Sequence, residues 1–406
     1  MLSLPQALER LLAATTALSE TEQVDSALAL GRVLAVDLVS TLDVPPHDNS
    51  SMDGYALRAA DAAEPGAVLA VSQRIAAGQV GAALAPGSAA RIFTGAPVPE
   101  GADSIVMQEQ CEPLGGSVRV DVQATPGQWI RRRGEDVGIG DVLLPRGSRL
   151  TPQALGLAAS VGVASLSVVR RPRVALFSTG DELALPGEPL KPGAIYNSNR
   201  HTLRALLATL GCEVSDLGIV PDRLEATRDA LRKAAQAHDL ILTSGGVSVG
   251  EEDHLKPAVQ AEGRLELWQV AIKPGKPLAF GEVHRRSGDP QGGSALFIGL
   301  PGNPVSSFVT FLLAVRPLLL ALQGAAHIEP KGLLLRADFD WPRPDVRREF
   351  LRARRNVDGG LQLFPNQSSG VLTSVVWAEG LIDNPPGRAI VRGDAVRFVP
   401  FSEWMA

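Results

Sequence analysis

Apolar residues recur at helical spacing through the first thirty residues (Leu8, Leu11, Leu12, Ala27, Leu30), so helices are expected to open the chain. Between residues 31 and 150 the pattern changes to short β-branched runs such as RVLAVDLV and SIVMQEQ, divided by turn clusters such as APGS and EPLGGS. This predicts a small β-rich region. Helical spacing returns in TPQALGLAASVGV, with Thr151 placed to cap it and Pro152 at its first helical position. Helix on both sides of the β-rich stretch points to an insertion.

From Arg173 to about Gln323 strands and helices alternate. RVALFS, CEVSDLGIV, DLILTS, LELWQVAI, PLAFGEV and SALFIGL read as strands. HTLRALLATL, which stops at Gly211, LEATRDALRKAAQAH, a segment running to about Ala261 and the stretch after LPGNP read as helices. Such alternation predicts a doubly wound, mostly parallel α/β sheet. Residues 325–406 alternate with little helix (KGLLLRADF, REFLRARR, AIVRGDAVRFVPF) and predict a small C-terminal β domain.

Composition narrows the class. The 406 residues exceed one typical domain and predict two to four. Lys and Arg number 39 against 44 Asp and Glu, a net charge of −5, which argues against a nucleic-acid binder with a basic face. Cys111 and Cys212 form neither a disulfide framework nor a metal-type cluster, and the six histidines show no ligand spacing. The first residues lack a basic n-region with a long apolar core, so no signal peptide is indicated. The greasiest stretch, Phe308 to Leu322, is interrupted by Arg316 and Pro317 and falls short of a bilayer span of about 20 residues. A cytoplasmic protein without a membrane partner is expected.

In an open parallel sheet ligands bind beyond the carboxyl ends of the strands. Three unusual loops fall there: Ser178-Thr179-Gly180-Asp181-Glu182, then Ser244-Gly245-Gly246-Val247-Ser248-Val249-Gly250 running into Glu251, Glu252 and Asp253, and Pro301-Gly302-Asn303-Pro304 with Ser306. The glycine-rich loop lets backbone N–H groups close on an anion, although many such turns only pack. It matches neither a P-loop nor a dinucleotide fingerprint. Asp181, Glu182 and Asp253 would repel that anion unless Mg²⁺ stood between them; alternatively they cap local structure or face water. Lys273 and Lys276 in IKPGKP either offset anionic charge or are solvated. Arg131, Arg132 and Arg133 beside Glu135 and Asp136 fit phosphate or an oxyanion such as molybdate, or pair internally with those acids. No G-x-S-x-G elbow is present.

Eight segments, in order, carry a family resemblance: PPHDNSSMDGYA, RIFTGAPVPEGAD, IRRRGED, ALFSTGDEL, YNSN, LTSGGVSVGEED, AIKPGKP and GLPGNPVSS. With them nearly the whole chain resembles the MoeA family of molybdopterin molybdenumtransferases, whose eukaryotic counterpart is the C-terminal domain of gephyrin. The resemblance implies an α/β multidomain enzyme. An elongated N-terminal domain would be formed by 1–43 and 142–171, with a β-rich domain, 44–141, inserted in it. A molybdopterin-binding α/β domain, 172–324, and a β-barrel-like domain, 325–406, would follow. It implies a homodimer in which the Asp53 region of one protomer faces the α/β crevice of the other.

The implied reaction inserts molybdate into adenylylated molybdopterin and releases AMP, with Mg²⁺ held by Asp181, Glu182 and Asp253. Asp53, Asp136, Glu182, Asp222, Asp253, Lys273 and Lys276 are the implied catalytic set. The implied binding set comprises Thr94, Arg131, Ser178, Thr179, Gly180, Asn199, Ser244, Gly245, Gly246, Ser248, Gly250, Pro301, Gly302, Asn303 and Ser306, with Arg352 and Ser369 at the molybdate end. The adenylyltransferase that makes the substrate and molybdoenzyme chaperones are candidate partners. Two features depart from the family: Gln269 follows Trp268 where a basic residue is common, and residues 347–355 are unusually rich in arginine.

Three alternatives stay open on the residues. A scaffold protein that kept only the pterin crevice would not need the carboxylate and lysine set. A CinA-like nucleotide hydrolase would lack SSMDGYA and RRRGED. The adenylyltransferase itself would not need residues 1–170.

Overall fold

The computed structural model describes residues 1–246, 254–286 and 289–405. Its central sheet has the strand order Glu213–Val220, Arg173–Thr179, Leu240–Ser244, Asp289–Leu300, Pro277–Arg286, Gly263–Gln269. The first four run parallel, Pro277–Arg286 pairs antiparallel with Asp289–Leu300, and Gly263–Gln269 pairs antiparallel with Pro277–Arg286. The mostly parallel sheet expected from the alternation is therefore present. The connection from Gln269 to Pro277 is too short for a crossover helix, so those strands return beside one another.

The period of two sorts side chains to opposite faces of this sheet. Val174, Leu176, Leu240 and Leu242 face one core; Ala175, Phe177 and Ile241 face the other. The helix Ser198–Thr209 and the apolar stretch Pro304–Leu322 cover the first face, while Leu224–Ala237 and Leu255–Glu262 cover the second. Pro304–Leu322 is 19 residues long with a π turn at Phe311–Val315, and 94% of its most apolar window is buried, as befits a core helix. Arg316 within it donates to the Trp404 and Ile328 carbonyls, and burial pushes its guanidinium down to about 10.

The N-terminal expectation needs correction. Helix occupies Leu4–Ala13, capped by Ser3 and Gln6, but Thr21–Asp25 is a strand and Ser26–Leu28 a single 3₁₀ turn. Thr21–Asp25 pairs antiparallel with Ser165–Val169, and Leu38–Val39 with Val142–Leu144. Ladder partners some 140 residues away override the local periodicity, and Leu28 and Leu30 are left exposed. Thr151 caps Pro152–Ser160 by accepting from the Ala154 N–H, and Gly211 follows the end of Ser198–Thr209 at φ +77°, both as expected.

Two further six-stranded sheets flank this centre. One spans 54–120; the other spans the C-terminal region, in the order Ile272–Lys273, Arg348–Arg355, Gly380–Asn384, Ala395–Pro400, Leu333–Arg336, with Leu361–Leu363 paired to Arg348–Arg355. The two-residue strand Ile272–Lys273 belongs by sequence to the α/β region yet pairs with the C-terminal sheet. Phe350, Leu381, Val399 and Trp404 join the core that packs against Pro304–Leu322, so the C-terminal sheet is docked rather than tethered.

Candidate active site

The parallel strands deliver their loops to one edge. Ser178 and Ser244, both buried, place their Oγ atoms 3.3 Å apart. Asn199, from the helix Ser198–Thr209, donates to the Gly302 carbonyl at 2.7 Å, and the Gly245 N–H donates to Leu300 at 3.0 Å. Gly245 and Gly246 lie at φ +91° and +65°. A Cβ on either would come within 2.9 Å of Thr179, at its carbonyl oxygen or its Oγ1, so only glycine lets these loops meet. Thr179, Gly180, Pro301, Asn303 and Ser306 complete this edge. Ser248, Gly250 and Asp253 lie outside the described residues.

The acids at this edge are open to solvent. Asp181 and Glu182 are exposed, and the Glu182 carboxylate lies beside Gly180. Asp222 is half-buried directly after Glu213–Val220. Among the described residues no group of three or more His, Cys, Asp or Glu gathers as a metal centre. The oxygens of Asp181 and Glu182 are nevertheless hard donors of the kind Mg²⁺ selects, next to a backbone cradle that any side chain would fill. This donor set fits the ion.

Sequence reasoning passed over Asn197 of YNSN. It caps Ser198–Thr209 through its oxygen, and its buried Nδ2 has no hydrogen-bond partner among the described residues. Its cap position was the available signal.

The β-rich region brings a second group together. Thr94 donates to Asp53 Oδ1 from both its N–H and its hydroxyl, each at 2.8 Å. These bonds, the backbone one foremost, hold the Asp53 carboxyl below the usual carboxylate range, with Arg91 adding to the effect. Ile130–Arg131 pairs with Asn49–Ser50, which sets the arginine loop against the Asp53 loop. Arg132 pairs with Asp48 at 2.7 Å and Arg133 with Asp43 at 2.5 Å. The expected internal partners, Glu135 and Asp136, do not take these side chains, although Glu135 accepts from the Arg132 N–H. Arg131 and Asp136 remain exposed, and neither has an ion pair among the described residues. No hydrogen bond or ion pair between described residues links this group to the strand-end loops of the same protomer.

Two residues implied to bind substrate have other partners. Arg352 is 1% exposed and donates to Ser374 Oγ, the Phe350 carbonyl and the Ser368 carbonyl; burial pushes its guanidinium down to about 10. It braces the following loop from inside the C-terminal sheet. That loop carries Ser369, whose carbonyl accepts from the Val305 N–H at 3.0 Å, bringing Ser369 to the Pro301–Ser306 edge. Lys273 pairs with Asp345 and Glu349, while Lys276 is exposed. Glu349 lies 76 positions from Lys273, and no local pattern signalled it.

A cavity of about 590 Å³ lies elsewhere. It opens between the helix Leu4–Ala13, the core helix and the C-terminal sheet, walled by Leu8, Leu312, Phe350 and Trp404. Arg316, Arg348 and Arg397 also line it, but Arg316 is spent on carbonyls and Arg348 and Arg397 on Asp383. The strand-end edge therefore remains the reacting centre of interest.

Comparison with known proteins agrees with this architecture. Residues 2–162 match the family model of the MoeA N-terminal region (domain I and II), 175–321 a probable molybdopterin binding domain, and 335–401 the MoeA C-terminal region (domain IV). The chain is 44% identical over 326 residues to a molybdopterin molybdenumtransferase of Haemophilus influenzae, covering 80% of this chain and 78% of that protein. It is 36% identical over 383 residues to one from Nostoc, covering 92% and 86%. The crystal structure of the molybdopterin biosynthesis MoeA protein from Pyrococcus horikoshii superposes with a TM-score of 0.85 at 29% identity, covering 98% of this chain and all of that one. By fold, by motif order and by likeness along most of its length, the chain belongs to the molybdopterin molybdenumtransferase family of enzymes, the MoeA proteins.

Proposed function

We propose that this enzyme inserts molybdate into adenylylated molybdopterin in a Mg²⁺-dependent reaction that releases AMP. One observation carries the reading: Ser178, Ser244, Asn199 and Gly302 converge at the strand ends, around glycines that admit no side chain. In this reading the Gly245-Gly246 backbone and the serine hydroxyls bind the pterin phosphate, and Ser306, Asn303 and Ser369 border the molybdate end. Lys273 and Lys276 offset charge on the pyrophosphate as the AMP phosphate leaves. Asp181, Glu182 and Asp253 would hold Mg²⁺, whose chemistry when bound is neutralisation of phosphate oxygens.

The protein is proposed to act in the cytoplasm as a homodimer built from the four domains given above. Exposed apolar side chains at Val36, Val39, Ile139 and Val142, two of them cross-strand partners, support a partner surface in the N-terminal region. Asp53, Thr94, Arg131 and Asp136 would then meet the crevice of the second protomer. That no hydrogen bond or ion pair between described residues joins them to their own crevice supports this arrangement.

The deciding assay incubates purified protein with Mg²⁺, molybdate and adenylylated molybdopterin and follows AMP. Release that requires molybdate and Mg²⁺ is expected. Tight binding of adenylylated molybdopterin with no AMP would favour the scaffold reading. Mixed dimers of Asp53→Ala and Asp253→Ala chains should regain part of the activity that each homodimer loses, and no regain would exclude shared sites.

A further inference from the structure

Lys273 stands where the α/β and C-terminal regions meet. With Ile272 it forms the outer strand of the C-terminal sheet, in parallel register with Arg348 and Glu349. The Arg348 N–H donates to the Ala271 carbonyl at 3.0 Å, and the Val270 N–H donates to Lys276 at 2.8 Å, closing the loop on itself. The lysine backbone is therefore set from outside the domain that carries the crevice.

Its ammonium lies 3.3 Å from Glu349 Oε1 and 3.3 Å from Asp345 Oδ2. The two carboxylates are not equivalent. Asp345 is already met by Arg347 through both oxygens at 2.9 Å, which holds its carboxyl far below the usual range. Glu349 has a side chain 1% exposed, and its Oε2 accepts from two neutral donors, Trp341 Nε1 at 2.8 Å and Asn384 Nδ2 at 3.4 Å. Among the described residues Lys273 is the only cation within ion-pair distance of Glu349. A buried carboxylate is strongly unfavourable without a counter-charge, so Glu349 has reason to hold the ammonium in one place.

The ammonium has three N–H donors, and the two carboxylates use two of them. The side chain stays 42% exposed, so the third can turn to a ligand. Lys273 and Arg347 balance Glu349 and Asp345, which makes the cluster neutral. An arriving anion would meet an aimed donor rather than an excess of positive charge.

We propose that Glu349 is a positioning residue: through Lys273 it lets the C-terminal sheet set where a cation stands toward the phosphates of the substrate, with the Asp345–Arg347 pair as a second brace. The proposal rests on the reading above that Lys273 meets the anionic end of the substrate.

The test measures AMP release by the full-length dimer with Mg²⁺, molybdate and adenylylated molybdopterin, together with the thermal midpoint of each variant. Glu349→Gln keeps the bond from Trp341 but drops the charge. Its kcat should fall roughly tenfold while KM stays level or falls, because a nearby negative charge has gone. Glu349→Asp should recover most of the loss. In a Lys273→Met background, Glu349→Gln should have no further effect on kcat, whereas a merely structural role would lower it again. Asp345→Asn, which leaves the bonds from Trp341 and Asn384 in place, should give a smaller drop that also vanishes without the lysine. Full turnover by Lys273→Met would overturn the reading of Lys273, and the proposal with it. Lost turnover in Lys273→Met alongside wild-type kcat in Glu349→Gln, or equal drops in both backgrounds, would overturn the proposal alone.

Discussion

Two stretches of this chain, 131–133 in the β-rich region and 347–355 in the C-terminal sheet, are rich in arginine, and they use it differently. In the second stretch the arginines are taken up by partners within the C-terminal region. Arg347 meets Asp345, Arg348 meets Asp383, Arg352 is buried on carbonyls and a serine, Arg354 lies 4.3 Å over the Trp377 ring and Arg355 meets Glu379. In the first stretch Asp48 and Asp43 take Arg132 and Arg133, but Arg131 stays exposed and has no acidic partner among the described residues. An arginine-rich run is therefore an anion site only as far as its neighbours leave charge uncommitted. The C-terminal arginines reinforce structure, whereas one arginine of the motif loop is exposed and has no ion pair among the described residues.

The comparison can be broken most forcefully at Asp383, which is buried between Arg348 and Arg397 at 2.5 and 2.7 Å. Asp383→Asn strands both guanidinium groups and should cost about 3 kcal/mol in denaturant unfolding. A stable variant with impaired AMP release would mean that this cluster serves the reaction after all. Arg131→Ala should do the reverse. Stability should stay within about 0.5 kcal/mol, while AMP release drops roughly 10- to 100-fold, as for a lost charge-assisted hydrogen bond.

Next in size is a pH effect. The Asp53 carboxyl lies below its unfolded value of about 3.9, so the contribution of its bonds to Thr94 is present above that pH and fades as acid approaches the lower folded value. Thr94→Val removes the hydroxyl donor and should raise the Asp53 midpoint, read by carboxyl chemical shift, and move the acid limb of AMP release upward. An unmoved midpoint would show that the backbone bond alone controls Asp53. The smallest effect is expected for Arg355→Ala. Its exposed pair with Glu379 should contribute under about 1 kcal/mol and leave turnover unchanged.

Much of the fold was legible because it is written in short-range patterns. The strands from Arg173 to Leu300, the cap at Thr151 and the stop at Gly211 follow from periodicity and capping chemistry that neighbouring residues carry. The gathering of Ser178, Ser244 and Gly302 was legible for the same reason, since loops after parallel strands share an edge. Thr21–Asp25 was misread as helix because its partner lies near residue 167. Gly263–Gln269 and Pro277–Arg286 were read as strands of a mostly parallel sheet, but which of them reverses was not legible, because alternation alone does not carry strand direction.

By itself the sequence determined which loops end the parallel strands, which positions there must be glycine, and where acids, lysines and arginines are available. Only the tertiary structure decided which of those charges are spent. Glu349 reaches Lys273 across 76 positions, Asp48 reaches Arg132 across 84, and Arg352 turns inward although its composition suits an anion. The reason is range. Backbone preferences act over a few residues, whereas ion pairing depends on distance and burial in the assembled fold, where a carboxylate from a remote strand can outrank every acid nearby in the chain.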